Sequence, residues 1–192
     1  KEKWIMKFVP LRELTITPKG DYGLSVHVSE NIHGKYSYLS ISDILTDGSL
    51  DHSHIKKTSE LPDEKYLLQP NDIVFARTGR STGKNYFYDA NDGLLVFASF
   101  LIRFRLDPRK VNPLYVKYYC QSNYYKRWIQ SLFAKGERGH INAREYGNMP
   151  VLLPDRSRQD FLADLFSLLD ENIRILERIK NTLLLMTESI FA

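Results

Sequence analysis

The stretch DRSRQDFLADLFSLLDENIRILERIKNTLLLMTESIFA (residues 155–192) contains neither proline nor glycine. An apolar residue stands at every seventh position, and a second row follows three residues later, polar only at Asn172. This spacing predicts a coiled-coil helix from about residue 158 to residue 190, about 50 Å long. Such a helix is longer than a domain of this size needs for its own core, so we expect it to pair with another helix. The predicted pairing face comprises Leu162, Leu165, Leu169, Asn172, Leu176, Ile179, Leu183, Met186 and Ile190.

Three details refine this helix. An asparagine in a leucine-rich seam fixes register and partner number, although Asn172 could instead lie slightly off the seam. Phe166 and Ile173 widen the apolar stripe, so the helix is expected to touch more than one neighbour. Ser157 and Asp160 resemble a capping box that opens the helix, with Asp where Glu is usual.

The composition leaves room for one compact domain and this appended helix. The chain has 192 residues and a net charge of +4, which permits nucleic-acid binding without establishing it. Its single cysteine, Cys120, excludes an intrachain disulfide and is compatible with a reducing, cytoplasmic location. No apolar run approaches the length of a membrane span, and KEKWIMKFVP (residues 1–10) lacks the apolar core of a secretory signal.

The residues before the helix alternate between strand and turn patterns. We predict strands at residues 36–42, 100–106 and 151–153, an apolar run at 73–76 after a turn, and a hairpin at Asp92-Gly93 between residues 85–88 and 94–98. In the second strand Phe100, Ile102, Phe104 and Leu106 face one way, and the two arginines face the other. Asn112 and Pro113 suit the start of a helix, and Asn123 suits the start of another. The fold class is therefore α+β: a globular mixed α/β domain over residues 1–154, followed by a long coiled-coil helix over residues 155–192.

The segment GRSTGK (residues 79–84) resembles a phosphate-binding loop only superficially. It has three residues between its glycines instead of four, and Asn85 follows the lysine where Ser or Thr is required. Nucleotide hydrolysis is therefore disfavoured. Two interpretations remain open: the loop directs Arg77, Arg80 and Lys84 at an anion such as a DNA backbone, or it is an ordinary hairpin with a solvated basic tip.

Other candidate chemistry has simpler explanations. Asp51, His52 and His54 lack a second ligand cluster, so we expect a surface loop and no metal. NPLY (residues 112–115) is close to a methyltransferase motif, but no glycine-rich cofactor loop precedes it and a helix start explains both Asn and Pro. We expect Cys120 to be a packed thiol, and we expect no cofactor.

The order of several segments resembles the specificity subunit of type I restriction–modification systems. These are LQPNDIVFARTGRSTGKNYFY (residues 68–88), FASFLIRFRLDP (97–108), NPLYVKYYCQS (112–122), GHINAREYGNMPVLLPDRSRQ (139–159) and the heptad helix. More narrowly, the chain resembles one target recognition domain followed by one central conserved helix, as a natural half-subunit or as a fragment.

This resemblance implies a non-catalytic subunit that recognises one half of a bipartite target on double-stranded DNA. Paired helices would space the two half-targets, through a second recognition unit or a homodimer, and would dock the methyltransferase and motor-nuclease subunits. It favours the DNA-directed interpretation of the glycine-containing loop. The residues expected to approach DNA are Arg77, Thr78, Arg80, Ser81, Lys84, Lys135, Arg138 and Asn142.

Two other functions stay open at this point. The chain could be a protein–protein scaffold, in which the helix is the main function and the basic loops are merely solvated. It could also be a stand-alone nuclease or methyltransferase, which the absence of catalytic motifs disfavours.

Overall fold

A computed structural model describes residues 7–25, 34–58, 63–134 and 139–191, without the side chains of the last two. The strands are β1 (Lys7–Pro10), β2 (Asp21–Tyr22), β3 (Tyr36–Leu39), β4 (Lys56–Thr58), β5 (Asp72–Ala76), β6 (Asn85–Phe87), β7 (Leu95–Phe97), β8 (Leu101–Arg105) and β9 (Pro150–Leu153). The helices are α1 (Pro113–Tyr119), α2 (Asn123–Ala134), α3 (Ala143–Gly147) and α4 (Arg156–Phe191). Short 3-10 turns lie at Leu11–Leu14, Ile41–Asp43, Glu64–Tyr66, Gly79–Ser81 and Ala90–Asp92.

The central sheet is antiparallel, with strand order β2-β8-β5-β6, and it is covered on both faces. Successive side chains of a strand point to opposite faces. Ile73 and Phe75 of β5 therefore enter one buried cluster with α1 and α2, whereas Val74 and Ala76 enter a second cluster. This double burial explains why the β5 sequence is continuously apolar after Asp72.

A smaller sheet, with order β4-β3-β7, supplies residues to the second cluster, among them Leu39, Leu95 and Phe97. In it β3 pairs in parallel with β7. The predicted β6–β7 hairpin is therefore wrong, because β6 pairs with β5 in the central sheet. Asp89 caps the 3-10 turn Ala90–Asp92 and Gly93 follows with φ +81°, so the chain leaves the sheet at this turn instead of folding back on β6.

Buried charge on the second face of the central sheet is paired. Asp72 is fully buried and accepts hydrogen bonds of 2.7 Å and 3.0 Å from Arg105. Arg103 donates to Asp21 at 2.6 Å and lies over the ring of Phe97 at 5.0 Å. The predicted alternation of β8, with its arginines opposite Ile102 and Phe104, produces these pairs.

The long C-terminal helix predicted from the sequence is present as α4, which has 36 residues and is therefore about 54 Å long. Its first turns pack on the domain: Gln159 and Ala163 are buried, and Lys117 Nζ of α1 lies 2.8 Å from Asp170 Oδ2. From residue 171 to residue 189 every side chain is exposed. A rod thus extends from the domain against which its first turns pack, and its exposed part makes an ion pair back to the domain, where Arg174 lies 3.6 Å from Asp89 Oδ2.

The N-terminus of α4 differs from the predicted capping box. The helix begins at Arg156, so Ser157 lies inside its first turn, and Asp155 Oδ1 accepts from Arg158 N at 3.1 Å. Asp160 instead accepts from Asn112 Nδ2, and from Arg156 Nε, at 2.7 Å each. Because Asn112 also caps α1, as predicted, this contact joins the starts of both helices.

Two negative findings apply to the described ranges alone. Within them no helix combines the length and apolarity of a membrane span, and no cluster of histidine, cysteine and carboxylate side chains has the makings of a metal site. Cys120 is buried, and this burial raises the pKa of its thiol well above the usual value.

Candidate nucleic-acid interface

The glycine loop, residues 77–84, connects β5 to β6 and is closed at its neck by backbone hydrogen bonds. Ala76 N donates to Lys84 O at 2.8 Å, and Gly83 N donates to Ala76 O at 3.0 Å. Gly79 has φ +75° and Gly83 has φ +95°, conformations that favour glycine. The loop is therefore a defined structure and not a simple extension of two strands.

Two buried tyrosines hold the base of this loop from inside the domain. Tyr146 donates its hydroxyl to Ala76 O at 2.7 Å, and Tyr125 donates to Gly83 O at 2.6 Å. Tyr146 also stacks on Phe75, with 4.7 Å between ring centroids. Burial raises the pKa of both tyrosines far above the usual value, so both hydroxyls remain protonated donors near neutral pH.

A second loop, residues 139–142, lies directly against the glycine loop. Gly79 N donates to Gly139 O at 3.0 Å, and Ile141 N donates to Arg77 O at 2.9 Å. Thr82 Oγ1 lies 2.8 Å from both Gly79 O and Gly139 O. Segments about sixty residues apart in the chain thus form one surface, which we call the two-loop surface (residues 77–84 and 139–142).

The predicted DNA-contacting residues of this surface differ in exposure. Arg80 is exposed on the 3-10 turn Gly79–Ser81, whereas Arg77, Thr78 and Ser81 are half-buried. The Arg77 guanidinium carbon lies 5.0 Å above the ring of Tyr22. Lys135 and Arg138 lie outside the described residues.

Two of the predicted residues have contacts within the domain. Lys84 Nζ donates to Ile44 O at 2.7 Å, so its ammonium braces the neighbouring segment. Asn142 caps α3: its Oδ1 accepts from Glu145 N at 3.0 Å, and its N donates to Glu145 Oε2 at 2.7 Å. These contacts give both side chains a structural role, whatever else they bind.

Two aromatic residues next to Arg77 were missed by the sequence analysis. Tyr22 of β2 is 44% exposed, and its hydroxyl accepts from Ala143 N at 3.2 Å. Phe100 is 53% exposed, and its carbonyl accepts from Arg77 N at 3.0 Å. Phe100 was expected on the core face with Ile102, but it lies in the turn before β8 starts. The alternating pattern was extended one residue too far, and no local pattern marks Tyr22.

The predicted pairing face of α4 is largely open to solvent. Leu165, Leu169, Leu176, Ile179, Leu183 and Met186 are between 40% and 64% exposed. Leu162, in contrast, is half-buried and packs against the core of the domain. Asn172 Nδ2 donates to Leu168 O within the same helix at 2.9 Å. The side chain of Ile190 is not among those that the structure describes.

The end of α4 is apolar on more than one side. Leu184 and Leu185 are 53% and 66% exposed, and they lie away from the seam that contains Leu183 and Met186. Large exposed apolar surfaces on soluble proteins usually mark interaction sites. This part of α4 therefore exposes apolar surface that more than one neighbouring helix can contact.

Comparison with known proteins identifies the family. The sequence pattern of the family described as "Type I restriction modification DNA specificity domain" matches residues 14–185. No curated protein matches the chain significantly.

Solved structures share the fold at low sequence identity. One, from work on assembly and conformational transition of the type I R-M system, has a TM-score of 0.63 and 14% identity, and the alignment covers 93% of this chain and 46% of that one. The type I S subunit from M. genitalium has a TM-score of 0.63 and 16% identity, with 92% and 42% covered. The HsdS subunit from Thermoanaerobacter tengcongensis has a TM-score of 0.60 and 16% identity, with 91% and 44% covered.

This chain thus spans less than half the length of these three structures. The pattern match, by contrast, extends over nearly all of its own length and includes both the two-loop surface and most of α4. The chain therefore belongs to the family of type I restriction modification DNA specificity domains.

Proposed function

We propose that this chain is the non-catalytic, sequence-specific DNA recognition unit of a type I restriction–modification complex. The two-loop surface contacts one half of a bipartite target on double-stranded DNA. The complex acts in the cytoplasm. The observation that carries the proposal is that the Gly79–Gly139 and Arg77–Ile141 hydrogen bonds join the glycine loop, which carries two arginines, to the loop at residues 139–142 in one surface.

The second part of the proposal concerns α4. Its open apolar face pairs with the same helix of a second unit, in a homodimer or within a longer subunit, and docks the methyltransferase and motor-nuclease subunits. Support comes from the exposed leucine seam and from the apolar surface at residues 183–186. Burying this area on partner helices supplies a large hydrophobic stabilisation, about 25 cal/mol for each Å².

Salt-dependent DNA binding tests the recognition role. The chain is assembled with the methyltransferase subunits of its own system and titrated with duplex DNA by fluorescence anisotropy. Log affinity should fall linearly with log salt, and Arg80→Ala should reduce the slope by about one, the loss of one phosphate contact. Arg109→Ala, which removes an exposed cation outside the two-loop surface, is the matched control and should leave the slope unchanged. No DNA affinity in the assembled complex would disprove the proposal.

Charge reversal distinguishes recognition from a pure scaffold. We expect the double variant Arg77→Glu and Arg80→Glu to abolish DNA methylation by the complex while assembly, measured by size-exclusion chromatography, persists. A scaffold whose basic loops are only solvated would retain both properties. Comparing the methylated sites of a host strain with and without the gene would then identify the target.

A further inference from the structure

Arg77 differs from the other basic residues of the two-loop surface because it is held from several directions. Its N–H donates to Phe100 O at 3.0 Å, and its carbonyl accepts from Ile141 N at 2.9 Å. Its guanidinium lies 5.0 Å above the Tyr22 ring, whose hydroxyl in turn accepts from Ala143 N at 3.2 Å. Both the backbone and the charged group of Arg77 are therefore fixed before any ligand binds.

The inner part of this side chain is enclosed. Arg77 Nε is buried and, among the residues that the structure describes, has no hydrogen-bond partner. A cation–π contact with an aromatic face restrains the position of the guanidinium. A fixed position of this kind suits recognition of a guanine edge, because arginine donates two parallel hydrogen bonds to O6 and N7.

Arg80 provides the contrast. It is exposed on the 3-10 turn Gly79–Ser81, and its side chain forms no hydrogen bond or ion pair within the described part of the chain. An exposed side chain without such contacts can follow a phosphate but does not fix a base-specific geometry. Phosphate contacts position a protein on DNA, whereas base contacts specify the sequence.

We propose, on the basis of the proposed function, that Arg77 recognises a guanine edge and that Tyr22 is the residue that positions it. Arg80 contacts phosphate. Tyr22 acts through its ring, over which the guanidinium lies, and the hydroxyl contact with Ala143 N is not needed for this role. Sequence preference therefore depends on β2 as well as on the two loops.

Selection from a pool of random-sequence duplexes tests this division of roles. The assembled complex enriches a motif, and affinity for that motif is then measured over a range of salt. We expect Arg77→Ala and Tyr22→Leu to make the motif degenerate at the same guanine, with affinity for the parental motif falling roughly tenfold to a hundredfold. Arg80→Ala should keep the motif and lower the salt slope by about one.

Tyr22→Phe is the matched control, because it keeps the ring and removes only the hydroxyl that Ala143 N contacts. It should retain the motif. Thermal unfolding of each variant checks that it is folded. Because Tyr22 is half-exposed, we expect the substitutions there to leave the fold intact.

Three results would overturn the inference in different ways. If Arg77→Ala keeps the motif and lowers the salt slope, Arg77 contacts phosphate. If Arg77→Ala relaxes the motif but Tyr22→Leu does not, Tyr22 does not position it. If the wild-type complex binds DNA but enriches no motif, the proposed sequence-specific function itself is wrong, and this inference with it.

Discussion

Gly83 illustrates at the scale of one residue how the core controls the glycine loop. Its φ is +95°, and a Cβ placed there would lie 2.9 Å from Ile129 Cγ2 on α2. Gly79 has φ +75°, but a Cβ there would meet nothing within 4 Å. A side chain at Gly79 would therefore meet backbone strain alone, whereas a side chain at Gly83 would meet both backbone strain and a steric clash.

We predict that Gly83→Ala destabilises the domain more than Gly79→Ala does. Backbone strain alone costs about 1–2 kcal/mol at either position, and displacing Ile129 should add about 1 kcal/mol at Gly83. Urea unfolding of the two full-length variants measures the difference. Equal losses would mean that α2 accommodates the methyl group freely.

Asp107 makes a pH-dependent contribution to the stability of the fold. The Arg109 side chain, and then its backbone N–H, hydrogen-bond the carboxylate and lower the pKa of Asp107 to about 2. Because the unfolded pKa is about 3.9, the stabilisation is complete above pH 4 and is lost as the pH falls from about 4 to about 2. Arg109 is exposed, so solvent screens the pair.

We therefore predict that Asp107→Asn makes the stability of the domain depend less on pH in the acid range. Between pH 4 and pH 2 the thermal midpoint of the variant should fall less than that of the wild type, whereas between pH 6 and pH 8 the two curves should run parallel. Differential scanning calorimetry checks this. Identical acid limbs would contradict it.

At the scale of single residues, sequence patterns identified the basic residues of the glycine loop but not the side chains and carbonyl groups that they contact. Arg77, Arg80 and Lys84 were predicted together because they are close in sequence. Tyr22 escaped notice because its contact with Arg77 arises only when β2 joins β8 beside β5. The Lys84 contact with Ile44 O was likewise invisible, since it spans forty residues of chain.

At the scale of elements, the junction between α1 and α4 determines how the rod leaves the domain. Asp170 Oδ2 lies 2.8 Å from Lys117 Nζ and 2.9 Å from the Tyr118 hydroxyl. Tyr118 also packs on Phe166, with 5.2 Å between ring centroids. Beyond these contacts α4 makes an ion pair with the domain at Arg174, whose guanidinium lies 3.6 Å from Asp89 Oδ2.

We predict that Asp170→Ala loosens this junction without unfolding the domain. The ion pair is partly exposed, so global stability should fall by no more than about 1 kcal/mol. Amide hydrogen exchange in residues 156–170 should nevertheless accelerate, because the junction opens locally. Glu171→Ala, one residue further on, is the control and should change neither. Unchanged exchange in the Asp170 variant would show that apolar packing alone holds the helix.

Elements with strong local signals were predictable, and those defined by long-range pairing were not. The heptads of α4, the Asn112 cap of α1 and the short strand β9 follow from residues adjacent in sequence. The Asp92-Gly93 turn was also recognised, but its strands were paired wrongly because β7 finds its partner in β3, nearly sixty residues earlier. Local turn chemistry does not reveal which sheet the chain will enter next.

At the scale of the whole molecule, the proposed pairing of α4 would fix the distance between two recognition domains. A helix of about 54 Å, with a recognition domain at one end, would hold a second domain at its far end in an antiparallel pair. One turn of B-DNA spans about 34 Å. Such a pair would set a half-site separation of about that order.

We predict that Leu176→Asp abolishes helix pairing, because a charge buried in an apolar seam is costly. Asn181→Asp adds the same charge on the opposite side of α4 and should leave pairing intact. Sedimentation velocity over a range of concentrations gives the mass of each variant. Pairing by the Leu176 variant equal to that of the wild type would disprove the assignment of the seam.

The apolar surface at residues 183–186 also bears on how the complex is produced. A newly synthesised copy that has not yet bound its partner subunits exposes Leu184 and Leu185 to water, near the end of the projecting helix. Chaperones and proteases in cells act on chains with exposed apolar surface of this kind. We therefore expect orphan copies to be short-lived in the cell, so that the abundance of this polypeptide follows the supply of its companions.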